Sequence, residues 1–423
     1  MPTMKNTNVY RPLVSVVMPT LNQVQFIEIA VRSILEQVYA SIELIVVDGQ
    51  STDGTLEVLC KLQKEFATQF QWVSQKDSGP AQALNTAIAL ANGQVVGWLN
   101  SDDLYASEAV AKAVTHFEKH PTHQLIYGFA QHIDSAGFPL KPYPTKPPST
   151  NIDEFANGSF ICQPSVFMRR EALDLVGPLN ESLQTAFDFE LWLRFFKRFP
   201  GQIGLVRRVQ AFSRLHAACL TQRERQTVAL EGMQVLAAHL NKAPLHWFYT
   251  HLDEMCEAYP FGPNALSLIK QLEVFIKGAK PFLAAQDLKV LSDTLRTDYR
   301  LILSKPGLMA TVQPDGWVSR QFSVKYRWEA KPATAILVRC AATWPVPGKM
   351  RLKVRTPNGD VHISVLEVPD DFVLRLEVPD TDKPGQMMWN VETAQTFVPA
   401  KHDKSSKDKR KLSFRVLELK PEV

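Results

Sequence analysis

Cysteine and long apolar runs are both scarce in this chain of 423 residues. The longest apolar runs, Leu13–Met18 and Leu44–Val47, fall far short of the roughly 20 residues that cross a bilayer, so we expect no transmembrane helix. The N-terminal segment carries no apolar stretch of signal-peptide length, which argues against secretion. No CxxC pair occurs, so we expect reduced thiols in a cytoplasmic protein, at Cys60, Cys162, Cys219, Cys256 and Cys340.

The sequence also has little net charge and lacks several well-known site motifs. Lys and Arg number 47 against 43 for Asp and Glu, and this surplus of +4 is too small to indicate a nucleic-acid partner. No GxGxxG follows the first predicted strand, and no Walker loop or GxSxG elbow is present. These absences argue against dinucleotide-dependent dehydrogenases, P-loop nucleotidases and α/β-hydrolases.

Three stretches of different periodicity follow one another along the chain. From Val14 to about Ser213, short apolar runs alternate with helical patterns, which predicts an α/β domain with a mostly parallel sheet. Residues 222–304 show helical spacing without strand patterns. Beyond Pro306, short strand patterns between Pro-Gly and Asn-Gly turns predict a C-terminal antiparallel β-sandwich. We therefore predict three parts: residues 1–220, a helical linker region at 221–305, and a β-sandwich accessory domain at 306–423.

Polar and acidic residues follow three of the predicted strands. Thr20 and Asn22 come after the first strand, Asp48 after the second, and Asp102 and Asp103 after the fourth. Such residues are also what turns and helix caps require, so each one alone indicates only a loop. Ligands of open α/β sheets bind at the carboxyl ends of the strands, and adjacent aspartates persist mainly where a cation compensates them. Together they predict a ligand site at one edge of the sheet.

These segments, in this order, resemble the motifs of family 2 glycosyltransferases. The resemblance covers about residues 13 to 218 and does not extend to the C-terminal half. It implies a single nucleotide-binding domain of the glycosyltransferase A type and an inverting, metal-dependent hexosyltransferase-like activity. The matching segments are Val14–Asn22, Ile45–Thr55, Asp77–Asn85, Trp98–Asp103, Phe160–Arg170 and Asp188–Arg194.

The resemblance also assigns the donor side of the site. Asp102 and Asp103 match the acidic motif that holds the metal, and His216 matches an element near the diphosphate that could ligate the same ion. Carboxylate oxygens suit Mg²⁺ or Mn²⁺, and such an ion neutralises the charge of a departing nucleoside diphosphate. The expected donor is a UDP-sugar. The residues assigned to the nucleotide are Pro19, Thr20, Asn22, Asp48, Asp77, Gly79, Asn85 and Asp102.

On the acceptor side, Asp188 stands where the family places the general base. A hydroxyl that attacks the anomeric carbon needs such a base, and a single in-line displacement inverts that carbon. Glu190 would point in another direction if the segment is helical, which makes it the weaker candidate. Asp188 could also cap a helix over Phe189–Phe199, a role compatible with catalysis. The resemblance places Gln163 and Trp192 at the acceptor.

A rival interpretation is a catalytically inactive glycan-binding protein built on a transferase fold. Exposed tryptophans of the sandwich could stack on sugar rings, although packing in the core is the commoner role of this side chain. The candidates are Trp317, Trp328, Trp344 and Trp389. The four carboxylates at Asp48, Asp102, Asp103 and Asp188 favour the enzyme.

His116 and His120, four residues apart on a predicted helix, raise the question of a second metal site. The motif of zinc proteases needs a glutamate next to the first histidine, and Glu118 is not there. We therefore interpret both histidines as solvated.

The acceptor is expected to be a saccharide or a lipid-linked saccharide in glycan or polysaccharide biosynthesis. We expect a cytoplasmic protein with at most peripheral contact with the inner face of the membrane. The basic loop Lys401–Lys411 is interpreted as solvated.

Overall fold

The structure, a computed structural model, describes residues 11–258, 271, 274–289, 291, 301–305, 308–312, 316–328, 331–342, 347–368, 370–381, 383–402, 406 and 410–422. Its backbone divides into two compact units, Met1–Ala243 and Pro244–Val423. Each unit has a hydrophobic core of its own. The finer division at residues 220 and 305 stays a prediction.

A nine-stranded sheet forms the centre of the first unit. The order across the sheet is β3-β2-β1-β4-β8-β6-β9-β5, with β7 paired to β6. Strands β3, β2, β1 and β4 run parallel, and so do β6 and β9. The strands are β1 (Val14–Thr20), β2 (Ile42–Asp48), β3 (Phe70–Ser74), β4 (Val95–Trp98), β5 (Leu104–Tyr105), β6 (Leu125–Ile133), β7 (Pro139–Pro142), β8 (Phe167–Arg169) and β9 (Ile203–Arg214).

Helices cover this sheet and bury the side chains of its strands. β1 is buried along its whole length and β2 nearly so, as expected for apolar, β-branched strands covered on both faces. The helices are α1 (Ile27–Leu35), α2 (Thr55–Glu65), α3 (Pro80–Leu90), α4 (Ala109–Lys119), α5 (Arg170–Val176), α6 (Phe187–Arg198), α7 (Leu220–Arg223) and α8 (Arg225–Leu240), with 3₁₀ turns at Ile152–Asn157 and Gln163–Ser165. The predicted α/β domain with a mostly parallel sheet is confirmed.

The strand directions bring the carboxyl ends of distant strands to one edge. β8 is antiparallel to both β4 and β6, so β6 and its parallel neighbour β9 run in the same direction as β4. The loops after β1, β2, β3, β4 and β9 therefore leave the sheet at the same edge. This edge carries most of the predicted site.

The second unit contains two antiparallel sheets. The orders are β10-β11-β13-β18-β15-β16 and β12-β19-β14-β17. Their buried side chains form one cluster, which confirms the predicted C-terminal antiparallel fold. The elements are α9 (Leu245–Ala258), β10 (Leu301–Lys305), β11 (Leu308–Val312), β12 (Trp317–Val318), β13 (Gln321–Trp328), β14 (Ala335–Ala342), β15 (Gly348–Arg355), β16 (Val361–Val368), β17 (Asp370–Glu377), β18 (Gly385–Thr393), α10 (Pro399–His402) and β19 (Phe414–Glu422), with a 3₁₀ turn at Lys280–Phe282.

The tryptophans of these sheets serve mainly as core residues. Trp389 and Trp328 are 2% and 9% exposed and belong to the shared cluster, so neither offers a face to a sugar. Trp317 is half-buried and packs edge-on against Phe397. Trp344 lies outside the described residues.

Candidate active site

Asp102 and His216 meet at the edge of the sheet where β4 and β9 end. Asp102 Oδ2 lies 3.1 Å from His216 Nε2, and both side chains keep part of their surface open. Asp102 follows β4 by four residues, and His216 follows the last residue of β9 by two. The sheet therefore brings together two of the three predicted metal ligands, from segments far apart in sequence.

Arg214, at the end of β9, fixes both sides of this contact. Its Nε donates a hydrogen bond of 2.8 Å to the Asp102 carbonyl oxygen. Its guanidinium lies over the ring of Phe26 at 4.8 Å, and the His216 ring packs on the same phenylalanine at 4.9 Å. Arg214 and Phe26 were not among the predicted site residues. Arg214 belongs to the Arg-x-His element through which the resemblance identified His216, whereas no pattern in the sequence marks Phe26.

Asp103 lies behind Asp102 rather than beside it. Its side chain is 4% exposed, and its Oδ1 accepts a hydrogen bond of 2.8 Å from the Arg214 backbone N–H. Burial raises the pKa of the Asp103 carboxyl well above its usual value, and the neighbouring charge of Asp102 adds to the shift. A buried carboxyl bonded to the backbone anchors β9 to the acidic loop, so the geometry favours Asp102 as the metal ligand of the pair.

The loops after β1 and β2 are joined by hydrogen bonds around Asn22 and Ser51. The Asn22 N–H donates to Ser51 Oγ, and the Thr52 N–H donates to Asn22 Oδ1, at 2.7 and 2.8 Å. Asn22 has a positive φ of 53°, a conformation that asparagine tolerates better than most residues. Thr20 and Pro19 are buried at the end of β1 just before this loop.

Asp48 is fully buried and engaged within the protein. Its Oδ2 accepts hydrogen bonds from the Gln50 and Ser51 N–H groups and from Ser74 Oγ, and its Oδ1 accepts one from Ser51 Oγ. This carboxylate shapes the loop after β2. Its predicted contact with a nucleotide base stays a prediction.

Asp77 approaches the same loop from the end of β3. A Cβ at Gly49 would lie 3.1 Å from Asp77 Oδ2 and 3.5 Å from Leu21 Cδ1, so the Asp77 carboxylate packs closely against this part of the loop. The Gly79 N–H donates to Asp77 Oδ1 at 3.0 Å, at the start of α3. Burial raises the pKa of Asp77, and the charge of Asp48 adds to the effect. The structure thus gathers the predicted nucleotide residues Asp48, Asp77 and Gly79 around one loop.

Asn85 has a different set of contacts. Its Nδ2 donates to the Leu179 carbonyl and to Glu181, and its Oδ1 accepts from the Leu179 N–H. The side chain therefore holds the segment before α6, and its predicted nucleotide contact finds no support in this geometry.

Asp188 lies in the first turn of α6, one residue after the helix begins at Phe187. The helix thus starts two residues earlier than predicted, and Asp188 is inside it rather than at its cap. Its Oδ1 accepts a hydrogen bond of 2.7 Å from the Phe189 N–H, and no cation pairs with it among the residues that the structure describes. Burial raises the pKa of the Asp188 carboxyl to about 6, within the range of a general base that works near neutrality.

Glu190, the weaker candidate, is occupied by two partners. Arg194 Nη2 lies 2.8 Å from its carboxylate and His239 Nε2 lies 3.2 Å away. Although burial opposes it, the hydrogen bonds from His239 and Arg194 hold the pKa of Glu190 below its usual value. The preference for Asp188 is consistent with this contrast.

The thiol of Cys162 connects the acidic loop with Asp188. Burial raises its pKa well above the ordinary value, and the charges of Asp103 and Asp188 both add to that rise. The two carboxylates therefore act on one buried thiol, Asp103 from the loop after β4 and Asp188 from α6. No sequence pattern indicates this role for Cys162.

The predicted acceptor residues are both buried. Gln163 donates a hydrogen bond of 2.7 Å to the Trp98 carbonyl, and its Oε1 has no partner in the described part of the chain. Trp192 has no exposed surface and packs at 6.4 Å from Trp98. A contact between Trp192 and an acceptor finds no support here, whereas the unmet oxygen of Gln163 is compatible with its predicted role.

Of the two histidines interpreted as solvated, His120, the C-cap residue of α4, is exposed, whereas His116 within α4 is half-buried. His116 and His120 form a cluster with His123, in which His116 Nε2 and His123 Nδ1 are 2.9 Å apart. Gly204 leaves room for them, because a Cβ there would lie 2.5 Å from both nitrogens. Among the described residues, no group of three or more histidine, cysteine or acidic side chains has the geometry to hold a metal ion. In the same residues, no helix is both long and apolar enough to span a membrane.

Known proteins match part of the chain. An uncharacterized glycosyltransferase of Rickettsia conorii is 26% identical over 309 residues, which cover 69% of this chain and 48% of that protein. Chondroitin synthase of Escherichia coli is 30% identical over 191 residues, which cover 45% of this chain and 27% of that protein. The chain therefore spans about half of the first relative and about a quarter of the second.

One solved structure aligns along nearly the whole chain. S. aureus TarS covers 97% of this chain and 77% of its own, at 16% identity and a TM-score of 0.47. That score is too low to add to the fold that the sheet order shows. The family profile described as Glycosyl transferase family 2 matches residues 15–177, a range that contains the loops after β1 to β4 and ends before Asp188 and His216. The resemblance of residues 15–177 to glycosyltransferase family 2 is therefore confirmed.

Proposed function

We propose that the protein is a metal-dependent, inverting glycosyltransferase that moves a sugar from a UDP-sugar to a hydroxyl of a saccharide or lipid-linked saccharide. The observation that carries the proposal is the pairing of two half-sites at one edge of the sheet. Asp102 and His216 form one, and the half-buried carboxylate of Asp188, which has no ion-pair partner among the described residues, forms the other. Phe187, the residue before Asp188, stacks on Trp98 at the end of β4, and the charges of Asp103 and Asp188 both raise the pKa of the buried Cys162 thiol.

Asp102 and His216 fit a divalent cation. Two ligands at right angles and about 2.1 Å from an ion lie about 3 Å apart, and their observed separation is 3.1 Å. Mg²⁺ and Mn²⁺ sites commonly use one or two protein ligands, with water and substrate phosphates at the other positions. A bound ion would act as a Lewis acid on the diphosphate and stabilise the charge of the departing nucleotide.

The nucleoside diphosphate would bind along the loops after β1, β2 and β3. Asn22, Asp48, Asp77 and Gly79 shape these loops, and the Asp102 side chain faces the same edge. The exposed side chain of Leu21 lies beside them. We propose that this surface holds the base and the ribose.

Asp188 would accept the proton of the attacking hydroxyl. Its carboxyl has a pKa of about 6, so it is mostly ionised at neutral pH, and no ion pair in the described chain holds it away from the acceptor. The nearby Glu190 is bound to Arg194 and His239 and leaves Asp188 as the single base. One base and one displacement give inversion at the anomeric carbon.

A polysaccharide acceptor is the class that the relatives favour, since chondroitin synthase is named for polymer synthesis. The chain covers only part of that protein, so its acceptor is not transferred to this one. The described cysteines are free thiols, including the exposed Cys60, which supports the proposed cytoplasmic location.

A donor screen tests the proposal. The full chain is incubated with a panel of UDP- and GDP-sugars in Mn²⁺, in Mg²⁺ or in chelator, and nucleoside diphosphate release is measured with water as the acceptor. We expect release from a UDP-sugar that depends on the metal, and early NMR spectra should show the sugar with inverted configuration. Retained configuration would contradict the mechanism. Sugar binding without release from any donor would favour the inactive glycan-binding protein.

A further inference from the structure

We propose that Glu231 of α8 is a positioning residue for Asp188, an inference that rests on the proposed function. Its buried carboxylate accepts four hydrogen bonds from the segment just before α6. Oε1 accepts from the Gln184 N–H at 2.7 Å. Oε2 accepts from the Thr185 N–H and hydroxyl, both at 2.7 Å, and from the Ala186 N–H at 3.0 Å.

These contacts hold the chain at and just before the N-cap of α6, where the local sequence offers no capping side chain. The first N–H groups of a helix have no partner within it, and serine, threonine, aspartate or asparagine at the N-cap usually satisfies one. The N-cap residue of α6 is Ala186, whose side chain cannot do so. Glu231 brings a negative charge from another helix to this end, where the helix dipole also favours an anion.

A second contact between α6 and α8 holds the body of the helix. His239 Nε2 lies 3.2 Å from Glu190 Oε1, and Lys197 Nζ donates to the His239 carbonyl at 2.6 Å. Glu231 therefore controls the start of α6 specifically, and these other contacts remain when its carboxylate is changed.

The start of α6 decides where the base lies. Asp188 follows Ala186 by two residues, and the one hydrogen bond described for its carboxylate comes from the adjacent Phe189 N–H. On the other side, the Phe187 ring stacks on Trp98, at the end of β4, with centroids 5.5 Å apart and planes 17° apart. The position of Asp188 is thus set mainly by the backbone on which it sits. Glu231 holds this backbone on one side, and the stack of Phe187 on Trp98 holds it on the other.

The donor half-site has no contact with Glu231. Asp102 and His216 are fixed by Arg214 and Phe26, which belong to other elements. A change at Glu231 should therefore reduce turnover and leave nucleotide binding intact.

Hydrogen exchange of the full chain tests the contact without any substrate. In Glu231→Gln, an amide N–H group replaces one acceptor oxygen, so we expect faster exchange at residues 184–190 and unchanged exchange in the loops after β1 to β4. The matched control is Glu224→Gln, at the start of the same helix, where the carboxylate faces Arg223 at the surface. Unchanged exchange at residues 184–190 in Glu231→Gln would overturn the proposal.

Kinetics separate this inference from the proposed function. With the best UDP-sugar of the screen, we expect Glu231→Gln to lower kcat about 10-fold or more, while its affinity for UDP with Mn²⁺ stays within about 2-fold of the wild type. A normal kcat beside a strongly impaired Asp188→Asn would reject the positioning role and leave the base in place. A normal kcat in Asp188→Asn would instead reject the proposed base.

A milder variant covers the case in which Glu231→Gln does not fold. Thr185→Val removes one of the four donors and keeps the three backbone contacts. We expect the same pattern, a smaller loss of kcat with unchanged UDP affinity. No change of kcat in this variant, together with unaltered exchange at residues 184–190, would overturn the proposal.

Discussion

His216 Nε2 lies 3.1 Å from Asp102 Oδ2 although 114 positions separate the two residues in the sequence. The contact exists because β4 and β9 point the same way in the sheet and end at the same edge. Arg214 holds the acidic loop by a hydrogen bond to the Asp102 carbonyl. The Phe26 ring packs against the His216 ring and against the Arg214 guanidinium. The proposed metal centre is therefore a consequence of sheet topology rather than of a local motif.

Removal of either ligand should weaken metal-dependent nucleotide binding. We expect Asp102→Asn and His216→Ala each to lower the affinity for UDP in Mn²⁺ by about 10-fold or more, because each removes one of two protein ligands. Calorimetry with UDP measures this effect. In chelator the variants and the wild type should bind UDP equally weakly. If the variants bound UDP more weakly than the wild type by the same factor in chelator as in Mn²⁺, the residues would not act through a metal.

Transfer should depend on pH through Asp188. Burial raises its pKa to about 6, and the base must be ionised to accept a proton. Turnover should therefore rise with pH through about 6 and level off above it. Rates at saturating donor between pH 5 and 8 test this. A turnover that stays constant down to pH 5 would contradict the assignment.

The same burial should make Asp188 costly for stability. A carboxyl whose pKa is higher in the folded than in the unfolded state stabilises the fold below its unfolded pKa, and this contribution is lost as pH rises through about 6. Asp188→Asn removes the buried charge, so we expect it to raise the free energy of unfolding at pH 7.5 by about 1–2 kcal/mol. Denaturant titrations at pH 4 should show a much smaller difference, and equal differences at both pH values would count against a buried ionised carboxylate.

The histidine cluster should make stability fall in mild acid. Burial and the neighbouring His120 and His123 lower the pKa of His116 to about 4, so the unfolded chain binds the proton more readily. The free energy of unfolding should decrease from about pH 6.5 towards pH 4, by on the order of 1 kcal/mol after allowance for solvent screening. His116→Gln should reduce this dependence, as denaturant titrations at the two pH values will show. If the free energy of unfolding of His116→Gln depended on pH as strongly as that of the wild type, His116 would not be the source of this dependence.

The sequence was sufficient to predict the edge of the sheet at which the site lies. Apolar runs that alternate with helical spacing indicate parallel strands, and the carboxyl ends of such strands meet at one edge. Asp48 and Asp102 were found in this way, whereas Asp77 came from the resemblance to the family motifs. Periodicity also predicted the antiparallel C-terminal sheets, where turn signals separate the strands.

Other features depend on three-dimensional packing that no local pattern encodes. Adjacent residues such as Asp102 and Asp103 look equivalent in the sequence, and only the Arg214 N–H shows which of them faces inward. Glu231 lies 45 positions or more from the residues it holds, in a helix beyond the family match. The resemblance placed Trp192 at the acceptor, but its position on α6 directs it into the core.

The most direct test of the account is the turnover of Asp188→Asn set against its affinity for UDP. The account predicts that kcat with the best UDP-sugar falls by at least ~10², the usual scale of general-base catalysis, while UDP binding in Mn²⁺ is unchanged. Glu190→Gln is the matched control on the same helix turn and should keep most of the activity. A near-normal kcat in Asp188→Asn, or a loss confined to UDP affinity, would contradict the account.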